Sequence, residues 1–435
     1  MKNLRWALCL LLTAISASHL FGAVDTAAAK ARLEKLNSRE RRVIWNNDGC
    51  ELNSVLFKTH TPEFFNSIRN QGVIGKGVDV ISFCTLSSGF GMTTARSEIA
   101  DVALELPAFR DGLQALLDQG TDPLKATVEF SHANNLECYW SFRINDCHDA
   151  FRGSEGLFPE FKMKNPETMV GTKENPPPYG YWSAVDFSQK KVREMMFAMF
   201  KEIIDNYEID GIDIDFCRHW AIFKSASWGK DPSREEIDSF TDLMARIRRY
   251  ADEVGLKRGR PILMMVRIMD SLDACMAMGL DVDRWCREGL VDIVAGGSEI
   301  RLNQPDYLAA LIGKYPSVRF YMSQTDAQIT GQHSLLKRNL SKLNFRAQAA
   351  AAYQAGLHGI YSFNEYYPRL PHADYLRDIS KPENLPSLNK CYYFSHSYLN
   401  PGRYGKNWER FQIMPSLTPA APMLLKTEPD RKSVV

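Results

Sequence analysis

The 435-residue chain holds nine cysteines and nine histidines, yet it has no Cys-x-x-Cys, no His-x-His and no His-x-x-x-His. Closely spaced cysteines or histidines are what build zinc and redox centres. Their absence predicts no metal and no cofactor. Charge of one sign is missing too: 53 Lys and Arg face 52 Asp and Glu. That balance argues against a general nucleic-acid binder or a polybasic membrane surface. No Gly-x-Gly-x-x-Gly follows an early strand, so a doubly wound dinucleotide fold lacks its fingerprint. Repeats at solenoid periods are absent. Beyond the first residues, no apolar run has the length of a membrane span.

Hydrophobic residues make up 45% of the chain and aromatics 11%, ample for a globular core. At the N-terminus, Lys2 and Arg5 precede an apolar run over 6–15, then Ser16, Ala17, Ser18 and Gly22-Ala23. This is the charged, apolar and small-residue succession of a secretory signal peptide, predicted over 1–23. A secreted or periplasmic protein with no integral span after cleavage is the expectation; a retained anchor is the alternative.

A charged helical segment follows over 24–41. Eight short apolar segments then read as strands: 42–47, 78–84, 136–145, 209–216, 261–268, 291–295, 318–323 and 358–364. Helical periodicity over 122–134, 189–206, 234–254, 282–288, 306–314 and 344–355 precedes the third to the eighth. Strands separated by helices in this number predict an α/β chain, a (β/α)8 TIM barrel over 42–376. A C-terminal extension over 377–435, with a small β appendage and a tail, completes the expected organisation. The long connection 149–186, containing ENPPPYGYW (174–182), reads as a lid or binding loop.

Residues 209–220, IDGIDIDFCRHW, carry the most chemistry. Ile and Asp alternate with period two, so Asp213 and Asp215 share one face of a short strand. Burying carboxylates is costly unless they are paired, hydrogen-bonded or used. In barrel enzymes the chemistry sits at the C-terminal strand ends. Those ends offer Asp48, Arg143, Asp146, His148, Asp215, Arg218, His219, Trp220, Arg267, Glu299, Asn364, Glu365 and Tyr366, with Trp182 in the long loop. Two carboxylates flanking a sugar bond, with rings to stack on the sugar, are what glycoside hydrolysis requires.

The segment 184–216 (AVDFSQKKVREMMFAMFKEIIDNYEIDGIDIDF) resembles the stretch entering the fourth strand of family-ten-like glycosyl hydrolases. YWSFRINDCHD (139–149) and GLHGIYSFNEY (356–366) are similar to the third and eighth strands of that group. The resemblance covers most of 42–375 and implies a barrel acting on carbohydrate. Residues 210–217 are also similar to the family-eighteen chitinase signature D-G-x-D-x-D-x-E. Asp210, Gly211, Asp213 and Asp215 match, and Cys217 stands in place of the acid Glu. A thiol is a poor proton donor to a glycosidic oxygen, so that acid is not carried over.

The leading expectation is an exported glycoside hydrolase that cleaves a poly- or oligosaccharide. Asp215 is expected as nucleophile or base and Glu365 as acid, with the order of roles open. Asp213 is expected one layer deeper, and Glu299 in reserve. Expected substrate contacts are Asp48, Arg143, Asp146, His148, Trp182, Arg218, His219, Trp220, Arg267, Asn364 and Tyr366. Arg143, Arg218, Arg267 and Arg301 either neutralise nearby carboxylates or recognise an anionic sugar. A non-catalytic carbohydrate-binding barrel is the alternative. A metal-dependent barrel hydrolase built on His148 and His219 is a third reading, lacking adjacent histidine ligands.

Overall fold

The structure, a computed structural model, describes residues 26–85, 89–151, 155–217, 219–297, 301–325, 334–364, 374–392, 405–406, 411 and 433–434. Eight strands close into one parallel barrel: β1 (Val43–Asn47), β2 (Val80–Cys84), β3 (Glu137–Arg143), β4 (Gly211–Asp215), β5 (Leu263–Ile268), β6 (Ile293–Gly296), β7 (Arg319–Gln324) and β8 (Gly359–Ser362). Each pairs with its sequence neighbours, and β8 closes on β1 through Val43–Ile360, Ile44–Tyr361 and Trp45–Ser362. The architecture is the (β/α)8 barrel expected from the sequence.

A helix precedes each strand in turn: α1 (Thr26–Ser38), α2 (Pro62–Ile68), α3 (Pro123–Ala133), α4 (Lys190–Asn206), α5 (Arg234–Lys257), α6 (Val282–Arg287), α7 (Pro305–Lys314) and α8 (Ser334–Gln354). Their starts are written locally. Thr61 and Asp122 cap α2 and α3 ahead of prolines at the first helical turn, and Ser233 with Glu236 forms a capping box on α5.

The strand alternation sorts side chains into two cores. Cys138, Trp140, Phe142, Ile212, Ile214, Met264 and Val266 pack outward in the large cluster shared with the helices. Ile44, Val80, Tyr139, Leu263, Met265, Ile293, Ala295, Tyr321 and Tyr361 fill the barrel itself. Continuing the inward faces upward replaces these apolar groups by Asn46, Ser82, Ser141, Arg143, Asp213, Asp215, Arg267 and Ser323. The barrel is therefore apolar below and polar at its C-terminal end.

Its floor is closed. Tyr139 and Tyr321 lie in register with Gly211 and Gly359, so each ring occupies the space of a missing side chain. Below them, Arg41 pairs with Glu137 at 2.6 Å. Helix α1 covers this end: Leu36 joins the barrel cluster, and Arg32 reaches Asp252 at 2.6 Å and Asp292 at 2.9 Å. The N-terminal helical segment is thus built into the barrel. Beyond β8, α9 (Tyr375–Ile379) packs on the core, and Lys390–Cys391 pairs in parallel with Ser433–Val434. Among the described residues no helix is long and apolar enough to cross a membrane.

The loop after β3 is anchored rather than loose. Asn145 donates to the carbonyls of Val185 and Ala221, each at 3.1 Å, and accepts from Val185 N at 2.9 Å. Lys162 meets Asp149 at 2.6 Å with both side chains fully buried, and Ser183 donates to the same carboxylate.

Candidate active site at the C-terminal end of the barrel

Strand β4 aims two carboxylates into the barrel, two residues and therefore one layer apart. Asp213 is the deeper. Its Oδ2 accepts from Ser82 Oγ at 2.5 Å and from Tyr361 OH at 2.7 Å. Burial, with the nearby Asp215 charge adding to it, raises Asp213 to about 7, against the opposing pull of Ser82, Tyr361 and Arg267. Ser82 and Tyr361 were not anticipated. A polar Ser82 on the inward face of VDVISFC is the signal that would have shown one of them.

Asp215 sits above. Arg267 Nη1 donates to its two oxygens at 3.2 and 3.0 Å, and Cys217 N donates to Oδ1 at 2.8 Å. Both side chains of this ion pair are fully buried. Arg267 is held in turn by Ser323 Oγ at 3.2 Å and lies 3.5 Å from the centre of the Phe363 ring. The guanidinium is pre-set by a hydroxyl and an aromatic face.

A second group of polar side chains comes from β3 and the loop after it. Arg143, in register with Asp215, donates to Asn364 Oδ1 at 2.8 Å and lies 3.9 Å from Asp146 Oδ2. Asn364 leaves β8 with φ 54°, a left-handed conformation that asparagine tolerates better than most residues. Asp146 Oδ1 accepts from His148 N at 2.9 Å and lies 2.5 Å from His148 Nδ1. Burial opposes ionisation of Asp146, but His148, His219 and Arg143 outweigh it and hold the carboxyl down at about 2. The His219 ring meets Tyr181 edge to face at 4.9 Å.

Of the remaining predicted residues, Asp48 borders the second group, Trp182 and Trp220 pack elsewhere, and the rest lie outside the described residues. Asp48 is buried against Arg69; burial works against its charge, while Arg69 and Arg143 keep it below the usual carboxylate range. Trp182 stacks on Phe158 at 5.6 Å in the long loop. Trp220 is buried in the large core cluster and, with Met269, Met278, Leu302 and Phe411, lines a small cavity. Arg218, Glu299, Glu365 and Tyr366 lie outside the described residues. Of the arginines read as anion ligands, Arg267 serves Asp215, and Arg143 serves Asn364 and Asp146. Arg301 donates to the Ser323 carbonyl and to Gln348, each at 3.2 Å. Arg267 is thus neutralised within the protein, and Arg143 in part, whereas the bonds of Arg301 are to neutral acceptors.

Among the described residues, Asn46 Oδ1, Arg143 Nε, Asp146 Oδ2 and Asp213 Oδ1 are buried without a hydrogen-bond partner. Such a group costs about 1–3 kcal/mol each when nothing satisfies it. They gather at the C-terminal end of the barrel, the end where barrel enzymes carry their sites. Among the described residues, no group of three or more His, Cys, Asp and Glu side chains is placed to hold a metal ion.

No family model matches this chain, and no curated protein does. Solved structures with similar folds include glycoside hydrolases. One is an alpha-L-fucosidase isoenzyme from Paenibacillus thiaminolyticus, with TM-score 0.49 and 14% identity over 80% of this chain and 49% of that one. Another is the PgaB (BpsB) glycoside hydrolase domain from Bordetella bronchiseptica, with TM-score 0.46 and 11% identity over 78% of this chain and 98% of that one. A third is an alpha-galactosidase from Lactobacillus brevis, with TM-score 0.42 and 11% identity over 81% of this chain and 41% of that one. This chain spans about half the length of the fucosidase, and the likeness is one of fold.

Proposed function

We propose that this chain hydrolyses O-glycosidic bonds of a poly- or oligosaccharide at the C-terminal end of its barrel. The observation that carries the reading is the stacked Asp213–Asp215 pair, with Asp215 clamped by Arg267 and Asp213 raised to about 7. Structural ion pairs rarely need a second carboxylate stacked beneath them. A carboxylate held at a strand end stabilises positive charge developing at an anomeric carbon, and Asp215 takes that role. Asp213 positions it from below. The unbonded polar atoms of Asn46, Arg143 and Asp146 suit a polyhydroxylated ligand. The residue pattern over 1–23 supports an exported protein.

Both oxygens of Asp215 are already occupied, and position 217, where the chitinase-like signature would carry its acid, is a cysteine. These two facts favour one competing reading, a barrel that binds glycans without cleaving them. Asp215→Asn separates the two. In a hydrolase it abolishes turnover on a panel of oligosaccharides and aryl glycosides while glycan binding persists. A wild-type protein that binds glycans in that panel and cleaves none is a lectin.

A further inference from the structure

Glycoside hydrolysis needs a proton for the leaving oxygen, and position 217 carries a thiol in place of a carboxylic acid. A different proton carrier is present just after the neighbouring strand β3. Asp146 and His148 form a carboxylate–imidazole dyad in the turn after β3, with Nδ1 2.5 Å from Oδ1. The same oxygen accepts from His148 N, so a two-residue turn locks carboxylate and ring together. The carboxylate is almost fully buried and the imidazole 30% exposed. Arg143 ties the dyad to the Asp215 layer, being 3.9 Å from Asp146 Oδ2 and in register with Asp215.

We propose that His148 is the acid–base residue of this site and that Asp146 is its positioning residue. The inference rests on the hydrolase reading above. An ionised Asp146 fixes the Nδ1 proton, leaving Nε2 as the nitrogen that exchanges protons; this is the division of labour of carboxylate–histidine pairs in general. As the anomeric C–O bond breaks, its electron pair stays on the leaving oxygen, which takes the Nε2 proton of the imidazolium. The neutral ring then removes a proton from the water that adds to the anomeric carbon. One water is consumed, and the imidazolium is restored.

The test compares 4-nitrophenyl glycosides, whose leaving group departs without a proton, with unactivated oligosaccharides of the same sugar. His148→Gln is expected to lower turnover of the oligosaccharide by about 100- to 10,000-fold, the range of general acid catalysis, and to spare departure of 4-nitrophenolate. Added imidazole should restore part of the lost rate. Equal loss on both substrates overturns the assignment of His148, as does this signature appearing in Glu365→Gln instead. The dyad is read independently of turnover by imidazole nitrogen chemical shifts. In the neutral ring these should show the proton on Nδ1, against Asp146, a preference that Asp146→Asn abolishes; a neutral ring protonated on Nε2 in the wild type overturns the proposal. Undiminished turnover in Asp215→Asn overturns the hydrolase site instead. A wild type that cleaves no member of the panel overturns both.

Discussion

Tyr361 of β8 donates to Asp213 at 2.7 Å across the barrel interior, and Ser82 of β2 donates to the same oxygen at 2.5 Å, one layer below the Arg267–Asp215 ion pair. Two neutral hydroxyls therefore face the lower carboxyl, while a full charge faces the upper one. The pair is divided by environment: a guanidinium serves Asp215, and burial beside that charge works against ionisation of Asp213.

That division predicts a pH dependence of stability. Asp213 holds its proton more tightly in the fold, at about 7, than in the unfolded chain. Its contribution is complete below the unfolded carboxyl pKa and is lost as pH rises through about 7. Asp213→Asn keeps a neutral side chain of the same shape. It should remove this slope, leaving the variant as stable as the wild type or more so at pH 8. Melting temperatures at pH 5 and pH 8 measure it; identical slopes in both proteins would refute the shifted carboxyl.

Arg267→Met should destabilise by about 3–5 kcal/mol, because Asp215 is left as a buried charge without its partner. Adding Asp215→Asn should recover a large part of that loss. Urea unfolding of the two single variants and the double variant forms the cycle. Strictly additive losses would mean that the ion pair is not coupled.

Gly211 and Gly359 should resist any side chain. A Cβ on Gly211 would stand 2.8 Å from the Tyr139 ring, and one on Gly359 2.5 Å from the Tyr321 ring and 2.7 Å from the Arg42 carbonyl. Overpacking of this kind costs about 1–3 kcal/mol. Gly359→Ala is expected to be the worse of the two, since backbone gives way less readily than a ring. Denaturation midpoints rank them, and a harmless Gly359→Ala would contradict the closed floor.

Lys162→Met should loosen the long loop. It removes the fully buried partner of Asp149, whose carboxyl burial already pushes upward. Limited proteolysis should then cut within 150–185 sooner than in the wild type. Unchanged cleavage would show that the Asn145 contacts alone hold the loop.

Sequence by itself determined the barrel. Eight apolar segments at strand length, six of them behind a helical period, leave few other ways to bury both faces of a parallel sheet. It also placed Asp213 and Asp215 on one inward face, because a two-residue period admits no other arrangement. What it left open was which side chains meet across the barrel. The Ser82 and Tyr361 contacts to Asp213 span 131 and 148 residues of chain, and Arg267 reaches Asp215 from the next strand. Strand register and barrel closure decide such contacts, and neither is written in any local window. The same holds for the arginines and for Trp220. Their types suggested ligand contacts; the tertiary structure turns Arg143 and Arg267 toward buried acceptors and buries Trp220 in the core cluster at the edge of a small cavity. His148 and Asp146 stand between the two cases. Their spacing is local, but only the folded turn brings ring and carboxylate within 2.5 Å. Only strand register ties that pair, through Arg143, to the Asp215 layer.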